Sequence, residues 1–448
     1  MKRHYFVLVA ALVLLMGACR PDEDTTSALD QELDEVLQTA SNGAGRSFFR
    51  LPASDDYAAI PQDPKNPITR AKVELGRMLF HETGLGLEPA QAIGQGRFSC
   101  ASCHFASAGF QAGRFQGIGE GGVGFGLNGE GRERDINYTE TNMDVQPIRS
   151  PSALNTAYQE LMLWNGQFGG VGMNIGTEHA WTAGTPKANN HLGFHGIETQ
   201  AIAGLTVHRL KALMSFIENV GYRPFYDAAF PNVPAAERYS TTTTGLAIAA
   251  YERTILANQS PWQLWLSGQS NAMSETEKAG AILFFGKAQC ASCHTGPALN
   301  NMNFHALGMK GLNECPEPVF KTPVNAPEHL GRGGFTGRAE DMHKFKTPQL
   351  YNLADSPFYG HGASMRSLRQ VVEYKNRALP ENPNVPLDRL DPYFAPLGLS
   401  DQEISDITAF LTKSLRDADL KRYQPGSVLS GQCFPFNDPL ARAQLGCN

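Results

Sequence analysis

Cys100-Ala101-Ser102-Cys103-His104 and Cys290-Ala291-Ser292-Cys293-His294 are one five-residue motif written twice. C-x-x-C-H is the attachment site of a c-type haem. Its two cysteines can form thioethers with the haem vinyl groups, and the adjacent histidine then reaches the proximal face of the iron. A zinc or dithiol redox site is the competing reading, and the histidine after each pair argues against it. Both copies follow the same lead-in. Thr69–His81 has helical apolar spacing and contains Leu79-Phe80, while Ser274-Glu275-Thr276-Glu277 is a capping box ahead of Ala279, Ile282, Leu283 and Phe284. The pattern of helix, Leu-Phe, short loop and motif, repeated about 190 residues on, predicts two related cytochrome c-like haem domains. Helices are further expected at Leu205–Asn219, Thr244–Ala257, Ser367–Asn376 and Asp401–Leu415. Few segments alternate with period two, so the expected fold is mainly α with long loops and few strands.

The chain of 448 residues is long enough for two or three cores. A net charge of −6 without a Lys/Arg run argues against a nucleic-acid partner. Met1–His4 is basic, Tyr5–Met16 is apolar but short for a span, and Met16-Gly17-Ala18-Cys19 places small residues before a cysteine. Residues 1–19 therefore read as a lipoprotein-type signal with Cys19 lipidated, a plain secretory signal being the alternative. Either implies export, where disulfides persist. Residues 20–60 are acidic and read as a flexible tether with a short helix at Ala28–Thr39; residues 61–265 and 266–420 read as the N- and C-terminal haem domains, and 421–448 as an extended tail. Of eight cysteines, one takes lipid and four take haem. Cys315, Cys433 and Cys447 remain, and either Cys433–Cys447 or Cys315–Cys433 would leave one free thiol. The Gly-rich stretch Gly113–Gly131 contains G-x-G-x-x-G at Gly117–Gly122, but no strand precedes it, and it reads as a loop near the first motif rather than a dinucleotide site.

From about Asn66 to Leu415 the chain resembles the bacterial di-haem cytochrome c peroxidases and their MauG-type relatives. Leu75-Gly76-Arg77-Met78-Leu79-Phe80 resembles the LG-x-x-LF lead-in. Arg149-Ser150-Pro151-Ser152 with Leu154-Asn155, Trp164-Asn165-Gly166 and Glu198-Thr199-Gln200-Ala201 resemble R-N-P-T-x-x-N, W-D-G and E-x-Q-A. Phe345–Asn352 resembles F-K-x-P-x-L-R-N, and Pro357–Gly362 resembles P-Y-F-H-D-G with one residue inserted before His361.

The resemblance implies an exported peroxidase that reduces hydrogen peroxide with electrons from a small donor such as a cytochrome c or cupredoxin, and a homodimer as a common assembly. It implies that Cys100, Cys103 and His104 hold the peroxidatic haem, and that Cys290, Cys293 and His294 hold the electron-entry haem. It places Trp164 between them. Where the family carries a distal glutamate, this chain has Gly204–Leu210, and His208 is the candidate acid/base. An unperturbed imidazole titrates at about 6.5. Arg209 and Glu198 are the further catalytic candidates, Arg209 as a stabiliser of developing negative charge. His208 can equally be structural or a blocking axial ligand, and His179, His191 and His195 offer other distal nitrogens. The second iron's sixth ligand in the family, methionine or tyrosine, stands fourteen residues after the family histidine. Counting from His361 reaches Lys375, next to Tyr374, with Met365 the nearest methionine. Tyr374 oxygen and Lys375 nitrogen are the candidates, against a reading of Tyr374 as core and Lys375 as a solvated helix end. Ser150 replaces the asparagine of the family's interdomain calcium site. Two alternatives stand beside the peroxidase: a MauG-type oxidase of aromatic residues in a partner protein, and a non-catalytic electron-transfer module.

Overall fold

The computed structural model describes residues 27–447. The lipoprotein signal, Cys19 and the start of the expected tether lie outside the described residues. The fold is mainly helical, and the described residues hold only two small two-stranded antiparallel sheets.

Two units are built on one plan. In the first, the helix Arg70–His81 starts where the Thr69 hydroxyl accepts from the Lys72 N–H. It buries Leu75, Gly76, Leu79 and Phe80 and crosses the helix Thr241–Arg253. In the second, the capping box at Ser274 starts Glu275–Phe285, which buries Gly280, Ala281, Phe284 and Phe285 against Asp401–Ala409. Both crossings require glycine. A Cβ on Gly76 would lie 1.9 Å from the Ala247 carbonyl oxygen, and one on Gly280 would lie 2.0 Å from that of Asp406. The backbones therefore approach closer than any side chain permits, and Phe80 and Phe284 are buried in the core before their motifs. Each buried Leu or Phe stabilises this contact by roughly 1.5–3 kcal/mol.

A second device repeats. Asn155 and Asn352 are both left-handed, at φ 57° and 54°. Asn155 N–H donates to Ile255 O, and its Oδ1 accepts from Ala257 N–H. Asn352 does the same with Leu415 O and Asp417 N–H. Each asparagine clasps the chain leaving its unit's last long helix, using the αL conformation that asparagine tolerates better than most residues.

Three expectations are corrected. The acidic segment is not a tether from Ser27 onward. The helix Ala28–Ala40 buries Leu33 and Leu37, Phe49 is fully buried, and Asp30 sits between Lys278 (2.7 Å) and the Trp265 indole N–H (2.6 Å). Its apolar spacing, Leu33 to Leu37, is short and lies among charged residues, so composition alone does not show that it docks. The tail is not extended. It folds onto the first unit, with Cys433 bonded to Cys447, a short helix Pro439–Leu445, and Asp438 buried against Arg132 at 3.0 Å. That disulfide decides the open pairing, and Cys315 stays a thiol. The helix expected at Leu205–Asn219 is two, Gly196–Val207 and Met214–Val220. It breaks because Arg209 is left-handed (φ 54°) and Lys211 N–H donates to Leu85 O. Asp401–Ala409 continues as a π-turn through Phe410–Ser414. The two termini cross over: the N-terminal segment packs on the second unit and the tail on the first.

Gly280→Ala should lower the unfolding free energy by about 2–3 kcal/mol through overpacking, despite the roughly 1 kcal/mol gained in helix propensity. A lower urea midpoint at unchanged slope is the expected result; an unmoved midpoint would show that the crossing can relax.

Candidate functional site

Both motifs open with a short 3₁₀ turn, Cys100–Ser102 and Cys290–Ser292, which brings the two cysteines of each pair onto one side of the following histidine. All four cysteines are free and half-buried. His104 Nδ1 faces the Phe110 carbonyl oxygen at 3.2 Å. His294 Nδ1 lies 3.1 Å from the carbonyl oxygens of both Leu299 and Pro348. A ring held this way carries its proton on Nδ1 and presents Nε2, the arrangement of a metal-ligating histidine. Burial holds both imidazoles down to about 4, so they stay neutral and available. Cys290, Cys293 and His294 line one cavity with Lys375, His361 and Met309. Paired free thiols, an oriented neutral imidazole and an apolar cavity fit a covalently held haem. Among the described residues, no three or more His, Cys, Asp or Glu side chains cluster as a separate metal site.

The surroundings of the two motifs differ. Over the first, the tail closes: Ser102 Oγ donates to Pro435 O at 2.7 Å, and Ala101 and Ser102 are buried. In the second motif, Ser292 and the preceding Gln289 are exposed.

His208 ends the helix Gly196–Val207, and its Nδ1 lies 2.8 Å from Asp144 Oδ2. Gly119 N–H donates to Asp144 O at 2.9 Å, and two residues earlier a Cβ on Gly117 would lie 2.9 Å from Cys103 Sγ, so the pair stands near the first motif. Burial alone would lower the His208 pKa, but the Asp144 carboxylate outweighs burial and holds it above the ordinary value. Asp144 is lowered in turn: burial would raise it, and the facing His208 prevails. Nothing in the sequence marks Asp144, which stands 64 residues from its partner.

Trp164 donates its indole N–H to Arg149 O at 2.8 Å, and its ring lies 6.3 Å from that of His361. Arg149 is buried, bonded to Gln111 and Ser356, and its N–H donates to His361 O. Trp164 thus stands at a junction of the first unit's Arg149 loop with the second unit's cavity, which it also lines.

Two catalytic candidates are redirected. Glu198 is fully buried, and both its oxygens accept from the Arg253 guanidinium, at 2.9 and 2.7 Å. It anchors helix to helix and, with no exposed surface, is closed to peroxide. Arg209 gives its Nε to Glu120 at 2.5 Å and Nη2 to Asn142 O. Its left-handed backbone turns it to this carboxylate, so it braces the loop that presents His208. The rings of His179 and His191 bond the Thr336 and Trp181 carbonyls, and His195 caps a helix.

Between the ligand candidates the geometry separates two neighbours. The Tyr374 hydroxyl donates to Leu307 O, and its ring packs on Phe394, a core role. Lys375 lines the cavity; its amine makes no hydrogen bond and lies 5.7 Å from the Phe394 ring centre. Burial lowers its pKa to about 8. His361 is stacked on Phe345 at 3.5 Å, and burial drives its pKa down to about 3.

Comparison with known proteins agrees with this geometry. Residues 70–271 match the family model described as di-haem cytochrome c peroxidase. The methylamine utilization protein MauG of Methylorubrum extorquens is 26% identical over 409 residues, covering 90% of this chain and 93% of that protein. The cytochrome-c peroxidase IdrP1 of Denitromonas iodatirespirans is 28% identical over 395 residues, covering 84% and 89%. Among solved structures, a MauG-like protein associated with microbial copper homeostasis superposes with a TM-score of 0.55 at 24% identity, covering 83% and 95%. The di-haem peroxidase BthA of Burkholderia thailandensis gives 0.51 at 16% identity, covering 84% and 92%.

The pair stabilises the fold through His208 below the ordinary histidine range, and that share is lost as pH rises through the raised folded value. Asp144's share is present above the carboxylate range and is lost as pH falls through its lowered value. Asp144→Asn should drop the His208 pKa below 6.5, because burial and the Arg209 charge then act unopposed. Histidine C2 hydrogen exchange followed by mass spectrometry reads this directly; an unchanged midpoint would show that Asp144 does not set it.

Proposed function

We propose that this chain, which belongs to the di-haem cytochrome c peroxidase and MauG family, is an exported peroxidase. It reduces hydrogen peroxide to water with electrons from a small donor protein, a cytochrome c or cupredoxin. When bound through Cys100, Cys103 and His104 and through Cys290, Cys293 and His294, the two haems supply the peroxide-binding iron and a second store for oxidising equivalents.

One observation carries the division of labour: identical motifs stand in unlike surroundings. The first has Ala101 and Ser102 covered by the tail and stands near the His208–Asp144 pair. There, His208 Nε2 takes a proton from one peroxide oxygen and returns it to the other, which leaves as water. Asp144 keeps the Nδ1 proton in place, so Nε2 is the accepting nitrogen. Arg209 and Glu120 fix the loop. The second motif has an exposed edge at Gln289 and Ser292, where a donor protein can approach. Lys375, which lines the cavity, would complete the second iron, a reading supported by the bond that holds the Tyr374 hydroxyl on Leu307 O. Trp164 bridges the two environments.

Export is supported by the Met1–Cys19 leader and by the Cys433–Cys447 disulfide, which suits an oxidising compartment. No helix among the described residues is long and apolar enough to cross a membrane; lipid at Cys19 is read from the leader sequence alone. A second reading, a MauG-type oxidase acting on a partner protein, is favoured by the hard nitrogen of Lys375 in place of methionine sulfur.

Purified holoprotein should oxidise reduced cytochrome c on addition of peroxide. His208→Ala should cut kcat on the order of 100-fold or more at unchanged haem content. A peroxide-oxidised state that persists beside reduced cytochrome c would favour the protein-modifying reading. No response to peroxide or carbon monoxide would leave only electron transfer.

A further inference from the structure

An unbroken path of aromatic rings runs from His294 to the N-terminal segment. The His294 ring lies 6.4 Å from Phe284, which is 5.1 Å from Phe285 and 5.5 Å from Phe410. Both converge on Trp262, at 5.5 and 5.4 Å. Trp262 stacks on Trp265 at 5.6 Å and 8°. Both indoles are fully buried. The path ends under the N-terminal segment. Arg46 lies 3.8 Å over the Trp265 ring with its side chain 25% exposed, and Asp30 accepts the Trp265 indole N–H at 2.6 Å.

Packing alone asks for bulk here, and phenylalanine supplies that at Phe49, Phe284, Phe285 and Phe410. Two of the chain's four tryptophans, the more readily oxidised ring, stand stacked at the outer end. The outer one alone has a carboxylate on its N–H. These two features separate an oxidisable path from a merely apolar core.

We infer that Trp262 and Trp265 form a one-electron relay between the second haem site and the surface at Arg46, an outlet for oxidising equivalents when no donor protein is docked. The inference rests on the di-haem peroxidase reading. Trp262 gives one electron toward His294 when that site holds an oxidising equivalent from peroxide. Trp265 then gives one electron to Trp262. The Asp30 carboxylate on its N–H and Asp34, paired with Arg46 at 2.6 Å, offset the positive charge left on the ring. A small soluble reductant of the ascorbate or phenol class returns one electron at the Arg46 surface. The reductant loses one electron, the haem site gains one, and the relay is unchanged. This also gives a use to the docking of an otherwise acidic segment, which supplies both Asp30 and Arg46.

The test uses full-length holoprotein with two haems confirmed, in wild-type and Trp265→Phe forms, given one equivalent of peroxide without donor protein. In the wild type, freeze-quench EPR should show an organic radical, peptide mapping should find oxidised Trp265, and ascorbate should accelerate decay of the oxidised state. In Trp265→Phe that decay should slow several-fold and lose its response to ascorbate, while cytochrome c turnover persists. Equal decay in both forms, with no oxidation mapped to Trp262 or Trp265, overturns the relay and leaves the peroxidase reading standing. Failure of peroxide to produce any oxidised state overturns both. The wild-type peptide map decides the matter even if the variant folds poorly.

Discussion

The structure depends on holding two imidazoles by one nitrogen. His104 and His294 can each serve an iron only if Nδ1 is tied and Nε2 left free, and backbone carbonyls do the tying. Carbonyls do this only if their loops cannot move. The left-handed asparagines Asn155 and Asn352 fix the chain near those loops, and the glycine crossings at Gly76 and Gly280 fix the helices that lead into the motifs. A few small residues thereby set two metal sites on one plan.

Function requires that the two copies then differ, and the termini make them differ. The tail, closed by Cys433–Cys447 and anchored by Asp438 on Arg132, covers Ala101 and Ser102 of the first motif. The N-terminal segment packs on the second unit beside Trp265 and Lys278 and leaves that motif's edge open. A covered site with an oriented His–Asp pair suits proton transfer to peroxide. An open edge suits electron delivery. The same five residues can thus be assigned two jobs by what covers them.

Much of this was legible along the chain because it is local. A C-x-x-C-H motif is complete within five residues, and capping boxes at Ser274 and Ser400 are complete within four. The mainly helical class, the lead-in helices and the recurring segments around Trp164 and Phe345 could be read for that reason. What could not be read depends on partners distant in sequence. Glu198 looks catalytic until Arg253, 55 residues on, takes both its oxygens. Arg209 looks like a charge stabiliser until its left-handed backbone turns it to Glu120, 89 residues back. Tyr374 and Lys375 are neighbours in sequence, and only the helix phase, set by packing on Phe394 and Leu307, separates core from cavity. The docking of the tail and the acidic segment is not legible in sequence, because composition reports charge but not the few apolar anchors, Leu33, Leu37, Phe49 and Phe436, that dock them.

The central claim is that one polypeptide holds two haems in unequal settings. EPR of the intact ferric holoprotein, with covalent haem counted by mass spectrometry, tests it most directly. The account predicts two haems per chain and two distinct ferric signals of equal weight. One should be open to an added ligand such as cyanide, and the other should be low-spin with nitrogen on both faces. A single covalent haem, or two equivalent irons that respond alike to cyanide, would contradict it.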